Sequence, residues 1–511
     1  MRKRKLRGGI AVLSLAAALC LAQGVAVYAE GTDDGSTLVT ADPSKGIEYR
    51  YYEGSTTSVE GINLNGNSVI IRQSPNSTDS EPRLNVYNDK DREAFEIDGS
   101  TEILPYQVYG VYGEKTKTPI SITVDGASLG NVWGVYKGAM EYESTGSEPA
   151  VSITVNKGSN VSAATCLYSS EAVGSMKINI SGDCNVSQLQ GALQSKVDGD
   201  IDIDITDNAF AGTVYGIQVG YASGSVDVYT DNTVDVGYLY GVYASTIDGS
   251  LTVNSMLKAD KGSGYVYAAT NGTYSGKDYA VKGNVVLTAK NAKLGYVYAV
   301  TNGANTLGGV TVDISDTTLN SMYGVSSSAS AAGDVSIRLN GIECSDRYSY
   351  MYGAYSANIA GKLKFEVKNA KGQGIYVYGS SNSDILGDVD IDIDGQGAEF
   401  DSVYGLSSGT VKGMVNIDIE NINVSSSMYG IYSAKLEQSS PEEADAYANV
   451  ITLKNIVNSS YYTYGVYYVS TMGSTHMILD NIKSDNYLYG LDFSGAITGK
   501  LKMDVSNCSA E

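Results

Sequence analysis

Histidine and tryptophan occur once each in 511 residues, proline seven times and phenylalanine five times. With 58 Gly and 41 Tyr alongside, this is not the composition of an average globular enzyme. Cysteine is also scarce. Of five, Cys20 lies in the N-terminal apolar segment, and Cys166, Cys184, Cys344 and Cys508 are far apart. Such spacing lacks the close pairs of a zinc site, and four thiols over this length are too few for a disulfide scaffold.

Long apolar runs are missing beyond residue 29, where nothing approaches the ~20 residues of a spanning helix. The run that does exist, Ile10 to Val27, follows Arg2, Lys3, Arg4, Lys5 and Arg7 and ends at Val27-Tyr28-Ala29. These are the three parts of a signal peptide, residues 1–29, with cleavage expected after Ala29. An uncleaved anchor is the alternative, disfavoured by the small-residue exit and the lack of a stop-transfer pattern. Leu19 before Cys20 is too bulky for lipoprotein processing. Losing five of the 35 basic residues leaves 30 Lys and Arg against 57 Asp and Glu, a net charge of −27. Such a surface repels phosphate backbones and anionic lipid, so nucleic acid and bare membrane are excluded as partners, and an extracellular protein or glycan surface is expected.

What the chain has in abundance is repetition. Segments such as Ile201-Asp202-Ile203-Asp204-Ile205, Val389-Asp390-Ile391-Asp392-Ile393 and Val415-Asn416-Ile417-Asp418-Ile419 alternate with period two, as a half-buried strand does. Fifteen such segments run from Ile120 to Leu501, and ten of the fourteen intervals between their starts are 25 or 26 residues. Two residues before the start usually stands a glycine, among them Gly249, Gly308 and Gly387, marking a corner that needs positive φ or close backbone approach. Further on comes a Tyr-Gly or Tyr-Ala pair, as in Tyr215-Gly216, Tyr323-Gly324 and Tyr464-Gly465, which reads as a second strand.

A unit of about 25 residues with at least two strands and corner glycines cannot bury its own apolar face, whereas stacked units bury a continuous core. The pattern predicts an all-β parallel β-helix over residues 95–511, with residues 30–94 as an N-terminal cap protecting the open edge. Fifteen coils would make a rod of roughly 70 Å. The chain resembles the right-handed parallel β-helix proteins found among bacterial surface adhesins and polysaccharide-active enzymes. A leucine-rich repeat shares the period but needs a Leu-x-x-Leu-x-Leu core that is missing. Gly264–Gly272 returns nearly unchanged as Gly295–Gly303, a trace of tandem copying. Leu501 to Ser506 opens a coil that the remaining residues do not complete, so a continuation with more coils, a cap or a wall anchor is expected.

Chemistry has few places to reside. Glu366, Asp392 and Asp418 fall at one place in successive segments, with Asp390, Asp394 and Glu420 beside them. Like charges ~5 Å apart repel by roughly 3 kcal/mol at an effective dielectric of 20, so the column invites a cation or raised pKa values. It could hold Ca²⁺, supply an acid and base pair to a sugar-cleaving face, or form a solvated face partly neutralised by Lys362, Lys364 and Lys368. The resemblance to β-helix enzymes implies Gly-His-Gly and Arg-Ile-Lys elements or a catalytic Arg beside Ca²⁺ carboxylates. The one histidine, His476, is not between glycines, Arg-Ile-Lys is missing, and Arg338 has no matching surroundings. No catalytic residue is therefore expected, and the Gly-Gly-x-Gly-x-Asp calcium nonapeptide is lacking too.

Tyrosines at one place in every coil, such as Tyr404, Tyr429, Tyr464 and Tyr489, form either a ladder that stabilises the rod or a platform for a ligand. Period alone does not fix which way they face. Cys344 and Cys508 fall in otherwise apolar columns and read as small buried hydrophobes. Three long intervals, residues 137–150, 270–282 and 433–448, follow the Tyr-Gly strand and are expected to emerge along one edge, spaced by roughly 24 and 29 Å. Tyr142, Tyr274, Tyr279, Glu442 and Glu443 are their candidate contact residues. The expected function is a secreted or cell-surface rod with a structural, adhesive or ligand-binding role. A polysaccharide lyase or hydrolase of this fold, or a Ca²⁺-dependent module, is the alternative.

Overall fold

A computed structural model describes residues 39–42, 47–51, 59–73, 84–88, 107–142, 148–260, 263–274, 276–438, 446–459 and 462–511. The signal segment and the pair Glu442 and Glu443 lie outside the described residues.

Period-two segments do what alternation requires. Ile201, Ile203 and Ile205 are fully buried, while Asp202 and Asp204 stand outward. Each such strand pairs in parallel with its counterpart one coil on, so that Met176, Ile201, Val226 and Leu251 lie in one column without a register slip. The Tyr-Gly strands form a second column, through Tyr215, Tyr240 and Tyr267. A third column of strands only two or three residues long runs through Ala172, Val197, Ala222 and Ile247. The protein is a parallel β-solenoid of about 15 turns with no helix among the described residues. At its N-terminal end antiparallel pairing takes over: Ile47–Tyr51 pairs with Val39–Asp42 and Val59–Asn63, and Val69–Gln73 with Leu84–Asn88. Val59–Asn63 and Val69–Gln73 in turn pair in parallel with the solenoid strands at Gln107–Tyr112 and Ile120–Asp125.

The core is the inside of this three-sided tube, with one apolar column from each sheet, such as Ile203, Val214 and Val197, all fully buried. Glycine after tyrosine makes room for it. A Cβ on Gly241 would stand 2.6 Å from Leu251 Cδ1, and one on Gly405 2.9 Å from Ile417 Cγ2. An aliphatic from the first strand, its first residue at Leu251 and its third at Ile417, therefore fills the space that the missing side chain leaves.

Two kinds of corner turn the chain. Gly249, Gly308 and Gly387 belong to one column in which each glycine is laid against the last. Gly249 N–H donates to Gly224 O at 3.0 Å, and a Cβ on Gly249 would meet the Gly224 carbonyl carbon at 2.5 Å. Close approach, and not positive φ, is the reason for glycine at these three. After the first strand the chain instead turns through left-handed residues, Asn421, Asn455 and Asn481 at φ 56°, 53° and 51°. Asparagine tolerates that conformation, and its amide adds a ladder: Asn421 Nδ2 donates to Asp394 at 3.0 Å, Asn455 to Asn421 at 2.8 Å and Asn481 to Asn455 at 2.9 Å.

The long connections differ from expectation. Residues 142–150 follow the third strand of their coil, Ala139–Glu141, and 437–448 follow Lys435–Leu436, whereas 271–280 precede the bridge that Val281 makes to Ile247 and Thr306. The described residues that flank them therefore lie on two edges of the third sheet instead of one, because a strand of two residues carries no periodicity by which to place it.

The two reasons for glycine are separable by one substitution. Gly272 has φ +76°, and a Cβ placed on it would meet nothing within 4 Å, so Gly272→Asn is expected to shift stability by no more than about 0.5 kcal/mol. Gly249→Asn is expected to cost about 1–3 kcal/mol through overpacking. Thermal unfolding and protease susceptibility of the two variants check this, and equal effects would count against the close-approach account.

Candidate functional site

The predicted acidic column is in register: Arg338, Glu366, Asp392, Asp418 and Thr452 pair in sequence across five coils. Parallel pairing places equivalent side chains one strand spacing apart, so each charge meets whatever the neighbouring coil holds at the same position. Glu366 is enclosed by cations. Lys368 Nζ lies 3.2 Å from it and 3.0 Å from Asp392, Arg338 Nε is 3.8 Å away and Lys364 Nζ 4.0 Å. Lys362 instead pairs with Asp388 at 3.0 Å. Further along, amides replace cations: Asn416 Nδ2 donates to Asp390 at 2.9 Å, and Asn421 donates to Asp394.

Asp418 is the exception. Its Oδ1 is buried without a hydrogen-bond partner. Burial, followed by the charges of Glu420 and Asp392, raises its carboxyl above the ordinary value, with Lys454 opposing. Among the described residues no group of three or more His, Cys, Asp or Glu side chains is arranged to hold a metal ion. The carboxylates are spread along a flat sheet, and Ca²⁺ requires six to eight oxygens converging on one point. His476 Nε2 lies 2.8 Å from Asp504 and its ring 5.2 Å from that of Tyr447, away from the column's centre.

The tyrosines face outward. From Tyr215 to Tyr489 eleven rings stack in unbroken succession, with centroids 4.7–5.2 Å apart and planes within 16° of parallel. Tyr243, Tyr355 and Tyr467 close the side of the ladder edge-on or tilted. Both faces of every internal ring are covered by its neighbours, which leaves no face for a sugar to stack on. Burial, then neighbouring phenols, push the hydroxyls of Tyr298, Tyr323 and Tyr352 up, and that of Tyr464 to about 12. This ladder is part of the fold.

Candidate contact residues of the long connections are less available than their place in sequence suggests. Tyr142 is half-buried against the core, and Tyr274 is half-buried with its backbone N–H bound to Thr246 Oγ1 at 3.1 Å. Tyr279 is 8 % exposed, contrary to expectation. Its hydroxyl donates to Asp248 Oδ1 at 2.6 Å, Tyr221 donates to Oδ2 at 2.7 Å, and Lys277 lies 5.5 Å from the centre of the Tyr279 ring. Burial works against the Asp248 carboxylate, yet the two phenol hydrogen bonds and Lys282 and Lys277 hold it below the ordinary range. Tyr279 thus straps its connection to the coil. Among the described residues the cysteines are free, Cys166, Cys184 and Cys344 buried, and burial raises the Cys344 thiol to about 12.

Sequence reasoning missed a cleft of about 400 Å³ on the outside of the third sheet, lined by Asp278, Leu307, Asn358, Asp384 and Leu386 among others. A second space of about 460 Å³, lined by Lys362, Lys364, Asp390, Met414 and Tyr447, lies beside the acidic column. The signal that would have found the cleft is positional: Asn305, Ser330, Asn358 and Asp384 each stand five residues before a first strand. No family model, curated protein or solved structure matches the chain.

Two substitutions test this account. Asp418 has a folded pKa above its unfolded value, so its ionised form opposes folding at neutral pH and the penalty fades as pH falls through the raised pKa. Asp418→Asn should stabilise by up to about 1 kcal/mol at pH 7, with the gain disappearing in acid; unfolding midpoints against pH measure it, and destabilisation at pH 7 would mean the carboxylate has a cation partner. Within the ladder, Tyr323→Leu loses stacking on both faces and should cost about 1–3 kcal/mol, roughly twice the effect of the same change at the terminal Tyr489.

Proposed function

We propose that the protein is a secreted or cell-surface rod that works by binding, offering its outer columns to another cell, a host surface or a glycan, and that it is not an enzyme. The signal segment and the acidic composition support the location and the choice of partner. The observation that carries the reading is that outward side chains repeat coil after coil in register, as in the column from Arg338 through Glu366 and Asp392 to Asp418. Catalysis needs unlike groups converging on one reacting atom. Here the carboxylates that could act as acid and base are spread along a sheet, and Glu366 is already engaged by three cations.

Adhesion and turnover distinguish the classes. Fluorescently labelled protein should bind saturably to cells or to immobilised glycans. It should release no reducing ends and no unsaturated uronides from polygalacturonate, with or without millimolar Ca²⁺. Turnover on that polymer would replace this reading with the β-helix enzyme, and binding that requires Ca²⁺ would replace it with a calcium-dependent module.

A further inference from the structure

The third sheet presents two outward rows where the cleft lies. One is polar: Asn305, Ser330, Asn358 and Asp384, paired in register coil to coil. Two residues along, Leu307, Ala332, Ala360 and Leu386 form an apolar row, with buried Ile359 and Ile385 among the inward residues between. The alanines make a floor. The leucines, 46 % and 51 % exposed, stand as end walls three coils apart, roughly 14 Å, and Asp278 from the 270–282 connection adds to the rim. At one end the polar row is satisfied within the chain: Ser330 Oγ donates to Asn305 Oδ1 at 2.9 Å, and Asn305 Nδ2 to the Asp278 carbonyl at 3.1 Å. At the other, Asn358 and Asp384 are exposed, and neither side chain is hydrogen-bonded among the described residues.

We propose that this cleft binds a neutral glycan chain, an inference that rests on the binding role above and names its site and ligand class. A sugar ring has apolar C–H faces and a rim of adjacent hydroxyls that both donate and accept. The Ala332 and Ala360 floor with the leucine walls receives the faces, and the amide of Asn358 next to the carboxylate of Asp384 offers one donor group and several acceptors to the rim. The length between the walls is that of a short oligosaccharide. Charge decides the class, since Asp278 and Asp384 line the cleft and no cation does; uronate, sulfated or sialylated chains meet repulsion there. An extended peptide is disfavoured because the third-sheet strands within the cleft already pair on both sides, so no strand edge is open to it.

The test titrates the full chain with cellohexaose, maltohexaose and chitohexaose, with hexagalacturonate as the anionic comparator, by isothermal calorimetry. At least one neutral hexamer should bind, and hexagalacturonate should not. Ala360→Phe, which fills the floor, and Asp384→Ala should each weaken the neutral ligand at least about tenfold, while Ser336→Ala on the first sheet leaves it unchanged. Both cleft positions are outward, and unchanged unfolding midpoints confirm that the variants are folded; were Ala360→Phe to misfold, Asp384→Ala decides. Lack of binding by all three neutral hexamers, tighter binding of hexagalacturonate, or binding undiminished in the folded cleft variants overturns the proposal. Cell adhesion that persists in that case leaves the adhesive rod standing and removes only this site.

Discussion

Parallel hydrogen bonding between successive coils, with the register of the first strands held from coil to coil, is the constraint on which the rest of this molecule depends. It holds neighbouring strands ~4.8 Å apart and sets each side chain of a paired strand beside its equivalent one coil away. A buried column then consists of aliphatics packed on aliphatics, as at Ile203 and Val228. An exposed column is harder to build, because identical groups at that distance must tolerate one another. Tyrosine does so by stacking and asparagine by donating to the next amide. Carboxylates do so most readily where lysine, arginine or an amide is interleaved, as around Glu366 and Asp390. Where that interleaving fails, burial and a like charge raise the carboxyl, as at Asp202 beside Asp227 and at Asp418, whose Oδ1 is also buried without a hydrogen-bond partner.

Glycine serves the same constraint from the backbone side. At Gly249 the chain passes so close to Gly224 that no side chain fits between coils, while at Gly241 the missing side chain lets Leu251 reach across the tube. The cross-section is thus narrow at its corners and filled at its centre. Three buried free thiols, Cys166, Cys184 and Cys344, take part as small apolar groups. Burial keeps them protonated, so a chain read as secreted relies on stacking for its stability without any disulfide among the described residues.

Much of this was legible in the sequence because period two and a fixed offset are both recorded in residue type. Ile201-Asp202-Ile203 announces a half-buried strand, and Gly249 with Gly308 and Gly387 announces a shared corner. What stayed hidden lacked one of those two signals. The third strands are too short to show a period, so the sequence alone points the long connections to one edge where their flanking residues lie on two. Alternation gives the spacing of the tyrosines but not their direction, and the ladder's role depended on ring orientation. Tyr279 looked like an exposed contact because its partner, Asp248, lies 31 residues earlier in a different coil. In the cleft, alanine and asparagine are ordinary one at a time, and meaning appears only when Ala332 is set beside Ala360 and Asn358 beside Asp384.

The coil-to-coil hydrogen bonds, such as Gly249 N–H to Gly224 O, also run along the length of the rod. If the rod tethers one body to another, as proposed, it is pulled along that direction, and tension applied through the chain then loads the outermost coil first. The bonds of that coil open one after another, like a zip, while those deeper in the stack carry little load. Each coil released feeds out roughly 80 Å of extended chain. Under shear such a tether would lengthen in steps and dissipate work at each one, holding its two ends together through displacements that would break a rigid link.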